Sequence, residues 1–186
     1  VIATYAPNSV AAYCCIFAIS RIGAVWLPLN VKNTLDANLR LIDKAGVSVM
    51  FLHESIAAKY PELINHFGEE QSIFLDGQHI AGLAFSSLVQ ELVPEVGIVD
   101  LDSSTDSFTD SSIDKNSTVS LLSTGGTTGD SKLAEWSSLT WETISDIQQE
   151  LMPAPDIPSC YLVSAPMSHA AGMASFVPIL QGASII

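Results

Sequence analysis

Along the first third of the chain the apolar positions switch repeatedly between two spacings. Val1–Tyr5 is an unbroken strand-like run that ends at Pro7-Asn8. From Ser9 to about Ile22 the residues suit a helix that Ser9 can cap, apolar on almost every side and so expected to be buried. Gly23 stops it, and "AVWLPLN" reads as a short buried strand closed by Pro28. "TLDANLRLIDKAG" sets Leu35, Leu39 and Ile42 at helical spacing, with Asp36 early and Lys44 late, where the helix dipole favours each charge. Gly46 ends that helix and "VSVMFL" follows as a buried strand. A weaker unit comes next: helical "IAAKYPELINHF", interrupted by Pro61, then "SIFLDG" as a strand. Strands alternating with helices predict an α/β fold, a parallel sheet with helices on its faces.

Residues 99–117, "VDLDSSTDSFTDSSIDKNS", break the pattern. They are acidic and Ser-rich with scattered apolar positions, and read as an exposed connection between a first α/β portion, 1–98, and a second, 118–186. The second portion opens with the strand "TVSLLS", passes through a Gly/Thr-rich loop and the short segment "LAEWS", and enters a helix with Trp141, Ile144, Ile147 and Leu151 on one side. "CYLVSAPMSHAAG" reads as a strand and turn, and "MASFVPILQGASII" as a helix leading into another strand. Both termini are apolar and strand-like, so the chain is read as part of a larger domain.

Composition narrows the partners. The formal net charge is −13, with 20 acidic and 7 basic residues, which disfavours nucleic acid and anionic membrane surfaces alike. The longest apolar run, Val10 to Ile19, is too short to span a bilayer and carries no signal-peptide pattern. Cys14, Cys15 and Cys160 are read as reduced and buried, which fits a cytoplasmic protein. His53, His66 and His79 lack metal-ligand spacing and are read as surface residues.

The stretch with chemistry in it is "LLSTGGTTGDSKLAEW", Leu121 to Trp136. Glycines let backbone N–H groups converge on an anion, hydroxyls add donors, and lysine adds a mobile cation. Thr124, Gly125, Gly126, Thr127, Thr128, Gly129 and Lys132 supply all three directly after a strand. Lys132 is also the only Lys or Arg after Lys115. Neither the Walker pattern nor the dinucleotide-binding glycine spacing is present. These residues leave two readings open, a phosphate cradle and a plain hairpin connection.

"STGGTTGDSK" resembles the signature loop of the adenylate-forming superfamily, the AMP-binding acyl-CoA synthetases, luciferases and peptide-synthetase adenylation domains. "GAVWLPLN" (Gly23–Asn30) resembles that family's upstream Pro-Leu-Asn segment. "APMSHAAGM" (Ala165–Met173) resembles its downstream Pro-x-x-His-x-x-Gly segment, and the three stand in family order over essentially the whole chain. The resemblance implies part of the large N-terminal domain of an enzyme in which a carboxylic acid attacks the α-phosphate of Mg2+-ATP. An acyl-adenylate forms and passes to a thiol, most often that of coenzyme A. It implies that Thr124 to Gly129 and Lys132 hold the β- and γ-phosphates, and that His169 and Gly172 border the acyl pocket. Without the resemblance His169 reads as a capping or core histidine.

Ser131 stands where the family commonly has proline, and Leu133 where it commonly has glycine. Asp130 falls inside the phosphate loop and is not given the family's ribose-binding role. The family's Tyr-Gly-x-Thr-Glu segment and its C-terminal catalytic lysine are not found among these residues, so residues 1–186 alone are expected not to adenylate. Readings of another class are a non-catalytic nucleotide- or anion-binding module, and a structural α/β piece in which the loop is only a linker.

Overall fold

The direction in which each crossover travels decides which face of the sheet its helix covers. Strand β1 (Ile2–Tyr5) is followed by helix α1 (Val10–Arg21) and by β2 (Trp26–Pro28), which pairs parallel on one side of β1. Helix α2 (Leu35–Ala45) then carries the chain back across β1 to β3 (Val49–His53), parallel on its other side. Right-handed crossovers in opposite directions put α1 and α2 on opposite faces. The short helices α3 (Glu54–Lys59) and α4 (Glu62–Phe67) continue in the direction of α2, through a 3-10 turn at Glu69–Gln71, to β4 (Ser72–Leu75).

The computed structural model describes residues 1–75, 83–84, 114–124, 131–153 and 157–186. Within them β5 (Leu83–Ala84) extends the sheet beyond β4, and β6 (Thr118–Ser123) pairs parallel with β2 through Trp26 and Ser120. Strand β7 (Leu133–Ser137) closes the other edge, giving the order β5-β4-β3-β1-β2-β6-β7. Helix α5 (Ser138–Leu151) follows, then β8 (Cys160–Tyr161), α6 (Ala170–Ala174), α7 (Phe176–Leu180) and β9 (Ser184–Ile185). Strands β8 and β9 pair with each other in a separate small sheet.

Two cores result, one on each face. Alternate residues of each strand point to opposite sides. Ala3, Tyr5, Leu27, Leu29, Met50, Leu52 and Phe74 pack under Leu41, Ile42, Ile56, Ala57 and Leu63 of α2, α3 and α4. Trp26 and Leu75 pack instead with Tyr13, Cys15, Ile16 and Ile19 of α1, joined by Trp141, Phe176 and Ile179 from α5 and α7. The helix ends follow the sequence signals. The Ser9 hydroxyl accepts from the Ala12 amide at 3.2 Å and the Thr34 hydroxyl from the Ala37 amide at 3.3 Å. At the far end of α1, Gly23 adopts φ 70°, so its own N–H reaches the Ser20 carbonyl and that of Ala24 the Ile19 carbonyl.

Several expectations change. The sheet is not wholly parallel, because β7 runs antiparallel to β6: residues 124–132 are too few for the crossover that a parallel partner requires. Helix α1 is buried on one side only, leaving Val10 and Ile22 largely exposed. The Ile147 and Leu151 end of α5 is likewise exposed. Cys15 is buried, but Cys14 and Cys160 are exposed, so the three thiols do not share one environment. His53 is half-buried rather than superficial; its Nδ1 accepts from the Ser55 amide at 3.1 Å and caps α3. The last helix divides at Ser175, since Pro178 has no N–H to continue the hydrogen bonds of α6 and sits in the first turn of α7. The acidic connection is exposed at 114–117, while 99–113 and His79 lie outside the described residues. The portions 1–98 and 118–186 contribute to one sheet, joined at β2 and β6.

Candidate active site

The Gly/Thr stretch is the loop of the β6–β7 hairpin. Leu122 faces Ala134 and Ser123 faces Leu133 across the ladder. One step further the Thr124 amide donates to the Lys132 carbonyl at 2.9 Å, and the Thr124 hydroxyl donates to the same oxygen at 3.3 Å. These two residues form the neck of the loop, and both are exposed. Gly125, Gly126, Thr127, Thr128 and Gly129, the other expected phosphate contacts, lie outside the described residues, as does Asp130. Leu133 packs with Leu121 against the core on the α2 face. From that face Lys44 extends its ammonium to 3.4 Å from the Ser131 carbonyl. Sequence spacing gave no sign that the Lys44 cation would reach this loop.

The histidine segment is held against the start of α1. The Asn8 side-chain amide donates to the Ala165 carbonyl at 2.9 Å, and its carbonyl oxygen accepts from the Met167 amide at 2.8 Å. The turn closes as the His169 amide donates to the Pro166 carbonyl at 3.2 Å, and α6 starts at the next residue. Gly172 lies directly under the Met167 backbone: a Cβ there would fall on the Met167 carbonyl, 2.9 Å from its carbon. The Ser175 hydroxyl donates to the Gly172 carbonyl at 2.6 Å and stands 2.6 Å from the Tyr13 hydroxyl, which ties α6 to α1. Burial holds the Tyr13 hydroxyl above the ordinary tyrosine pKa, although its bond to Ser175 offsets part of that rise. Gly172 therefore shapes the turn from behind.

His169 immediately precedes α6, at its N-cap position, and its side chain makes no capping bond; its Nδ1 lies 3.0 Å from the Ser168 hydroxyl. Its half-exposed ring lines a cavity of about 280 Å³ whose other walls include Pro28, Thr124, Trp136, Ser168 and Met173. The cavity sits at the carboxyl ends of β2 and β6, where open α/β sheets place their ligands. The structure thus brings Thr124 and His169, far apart in sequence, to one space. Among the described residues lining it, His169 is the one titratable side chain, so no fixed charge there opposes an incoming anion. Trp136 and Met173 were not singled out by sequence reasoning, since only the strand register and the helix position turn them inward. Among the described residues no three His, Cys, Asp or Glu side chains gather as a metal site.

A sequence model of the family described as AMP-binding enzyme matches residues 1–186. Solved structures share the fold. The amide bond synthetase McbA from Marinactinospora thermotolerans superposes with a TM-score of 0.72 at 17% identity, over 99% of this chain and 34% of that one. The o-succinylbenzoate CoA synthetase from Bacillus subtilis, in complex with its acyl-adenylate intermediate, gives 0.67 at 17% identity, over 99% and 42%. ATP-bound MatB from Rhodopseudomonas palustris gives 0.71 at 21% identity, over 100% and 34%. The chain therefore spans between about a third and less than half of these structures. No curated protein matches it significantly.

Proposed function

The chain belongs to the AMP-binding enzyme family, the adenylate-forming enzymes, and from that premise we propose that its protein activates a carboxylic acid with ATP and transfers the acyl group to a thiol. A carboxylate oxygen attacks the α-phosphorus, pyrophosphate leaves, and an acyl-adenylate remains. The sulfur of coenzyme A, the acceptor we assign, then attacks the acyl carbon and AMP departs.

The observation that carries this reading is the shared cavity. Thr124, at the hairpin neck, and His169, at the start of α6, line one space at the carboxyl ends of β2 and β6. In this arrangement the Thr124 hydroxyl and the Lys132 ammonium hold the β- and γ-phosphates, with Gly125, Gly126, Thr127, Thr128 and Gly129 completing the loop. Neutralising charge that grows on the departing pyrophosphate lowers the barrier, and fixing its direction keeps attack in line. His169 borders the acid on the facing wall, and Gly172 sets the backbone that presents it. Mg2+ accompanies the nucleotide in this chemistry. No described acidic side chain lines the cavity, so none is assigned as its ligand. The reaction belongs in the cytoplasm, where thiols stay reduced. Residues 1–186 alone are not expected to complete it.

Hydrogen exchange tests the shared site. Adding ATP and an acid to the protein is expected to slow exchange both in a peptide covering 124–132 and in one covering 168–173. Slowing in neither, or in the first alone, contradicts a common site.

A further inference from the structure

Resting on that reading of the site, we infer that Trp136 and Trp141 form the end wall of the acid pocket and limit the size of the acyl group it admits. The sheet face beneath α1, α5, α6 and α7 is laid out in rows. Trp26, Ser120 and Trp136 sit opposite one another across β2, β6 and β7. Two residues on along β2 and β6, and two back along the antiparallel β7, Pro28, Leu122 and Ala134 share the same face. This second row floors the cavity of Thr124 and His169. Trp26 and Ser120 of the first row floor a separate groove of about 550 Å³, lined by Ile16, Phe17, Phe176 and Ile179.

The partition between the two spaces is a pair of indoles. Trp136 lines the cavity and Trp141 lines the groove, and their rings meet edge to face with centroids 5.8 Å apart. Trp141 is fixed on the remaining sides. Its indole N–H donates to the buried Ser120 hydroxyl at 2.9 Å, and its ring rests 5.2 Å from Phe176 and 6.5 Å from Trp26. Trp141, packed on these sides with its N–H satisfied, stands as a firm backing behind Trp136. An acid whose carboxylate lies between Thr124 and His169 therefore meets Trp136 at the other end of a cavity of about 280 Å³. That falls just below the ~300–1,000 Å³ typical of small-molecule sites. The wall selects short-chain or single-ring carboxylic acids and excludes long-chain fatty acids. Shortening Trp136 opens the cavity toward the groove, which is apolar and suited to an alkyl tail.

The test is acid-dependent ATP–pyrophosphate exchange by the protein with butanoate, hexanoate, benzoate, decanoate and hexadecanoate. The wild type is expected to favour hexanoate or benzoate over hexadecanoate by about tenfold or more in kcat/KM. Trp136→Ala is expected to raise the hexadecanoate-to-hexanoate ratio by about the same factor, while Trp136→Phe, which keeps an aromatic wall, stays near the wild-type ratio. A wild type that uses hexadecanoate as well as hexanoate overturns the wall's role, whatever the variants do. A folded Trp136→Ala protein with an unchanged ratio does the same. Exchange with no acid at all brings down the reading of acid activation, and the wall with it.

Discussion

Thr124 and Lys132 face each other across the neck of the β6–β7 hairpin, with the Thr124 amide 2.9 Å and its hydroxyl 3.3 Å from the Lys132 carbonyl. The backbone bond holds the neck closed without the hydroxyl, which is free to turn to a ligand. Thr124→Val is therefore expected to leave folding stability within about 0.5 kcal/mol of the wild type. The same change is expected to weaken ATP binding by about tenfold, the value of one hydrogen bond to a charged group. Melting curves and a calorimetric ATP titration read the two effects separately. A large loss of stability with unchanged affinity would make the hydroxyl a hairpin brace only.

Gly172 has no room for a side chain. A Cβ would overlap the Met167 carbonyl, which is itself pinned through the Met167 amide to Asn8. Gly172→Ala is expected to cost about 2–3 kcal/mol, because backbone rather than a mobile side chain must move. The displaced turn also carries His169, so acid binding should weaken in step. A melting temperature equal to the wild type's would contradict the packing described for this turn.

Two buried tyrosines contribute in opposite ways. The Tyr13 hydroxyl lies 2.6 Å from Ser175, whereas the Tyr5 hydroxyl is buried without a hydrogen-bond partner among the described residues. Asn38 stands near Tyr5 and offsets part of its desolvation, but the Asn38 amide is engaged by Asn33 and by the Asn30 carbonyl. Tyr13→Phe is expected to cost about 1 kcal/mol, and Tyr5→Phe to be neutral or slightly stabilising. Burial, the largest cause in each case, raises both pKa values above the ordinary 10.0. The unfolded tyrosines ionise near that value while the folded ones keep their protons. The stability contribution of each is thus whole below pH 10.0 and is lost as pH rises through the folded values. Melting temperatures measured on either side of pH 10.0 should fall less in Tyr13→Phe than in the wild type. An equal fall would mean that Tyr13 does not titrate as its burial requires.

Much of this molecule is written locally in its sequence. Ser9, Thr34, Gly23 and Gly46 mark helix ends by chemistry that needs no distant partner, and β1, β3 and β6 are continuous β-prone runs. The Thr124–Lys132 neck also follows from a strand, a Gly/Thr run and a lysine in order. What the sequence conceals depends on register and neighbours. "LAEWS" does not announce an antiparallel edge strand, because only the short closing distance between Thr124 and Lys132 decides its direction. The apolar ring around α1 does not reveal that Ile16 is buried while Val10 is exposed. The Trp136–Trp141 contact needs β7 to be in register with β6 and α5 to fold back on both, and the approach of Lys44 to Ser131 arises across the sheet.

The central claim, that this hairpin loop grips the phosphates of ATP during acid activation, is tested most directly by Lys132→Ala. The Lys132 side chain is exposed and its backbone carbonyl keeps the bond to Thr124, so the fold should survive the change. Acid-dependent ATP–pyrophosphate exchange by the protein is predicted to fall by about 100-fold or more, the scale of losing one charge-stabilising group in a transition state. Exchange at the wild-type rate in a folded Lys132→Ala protein would contradict the account.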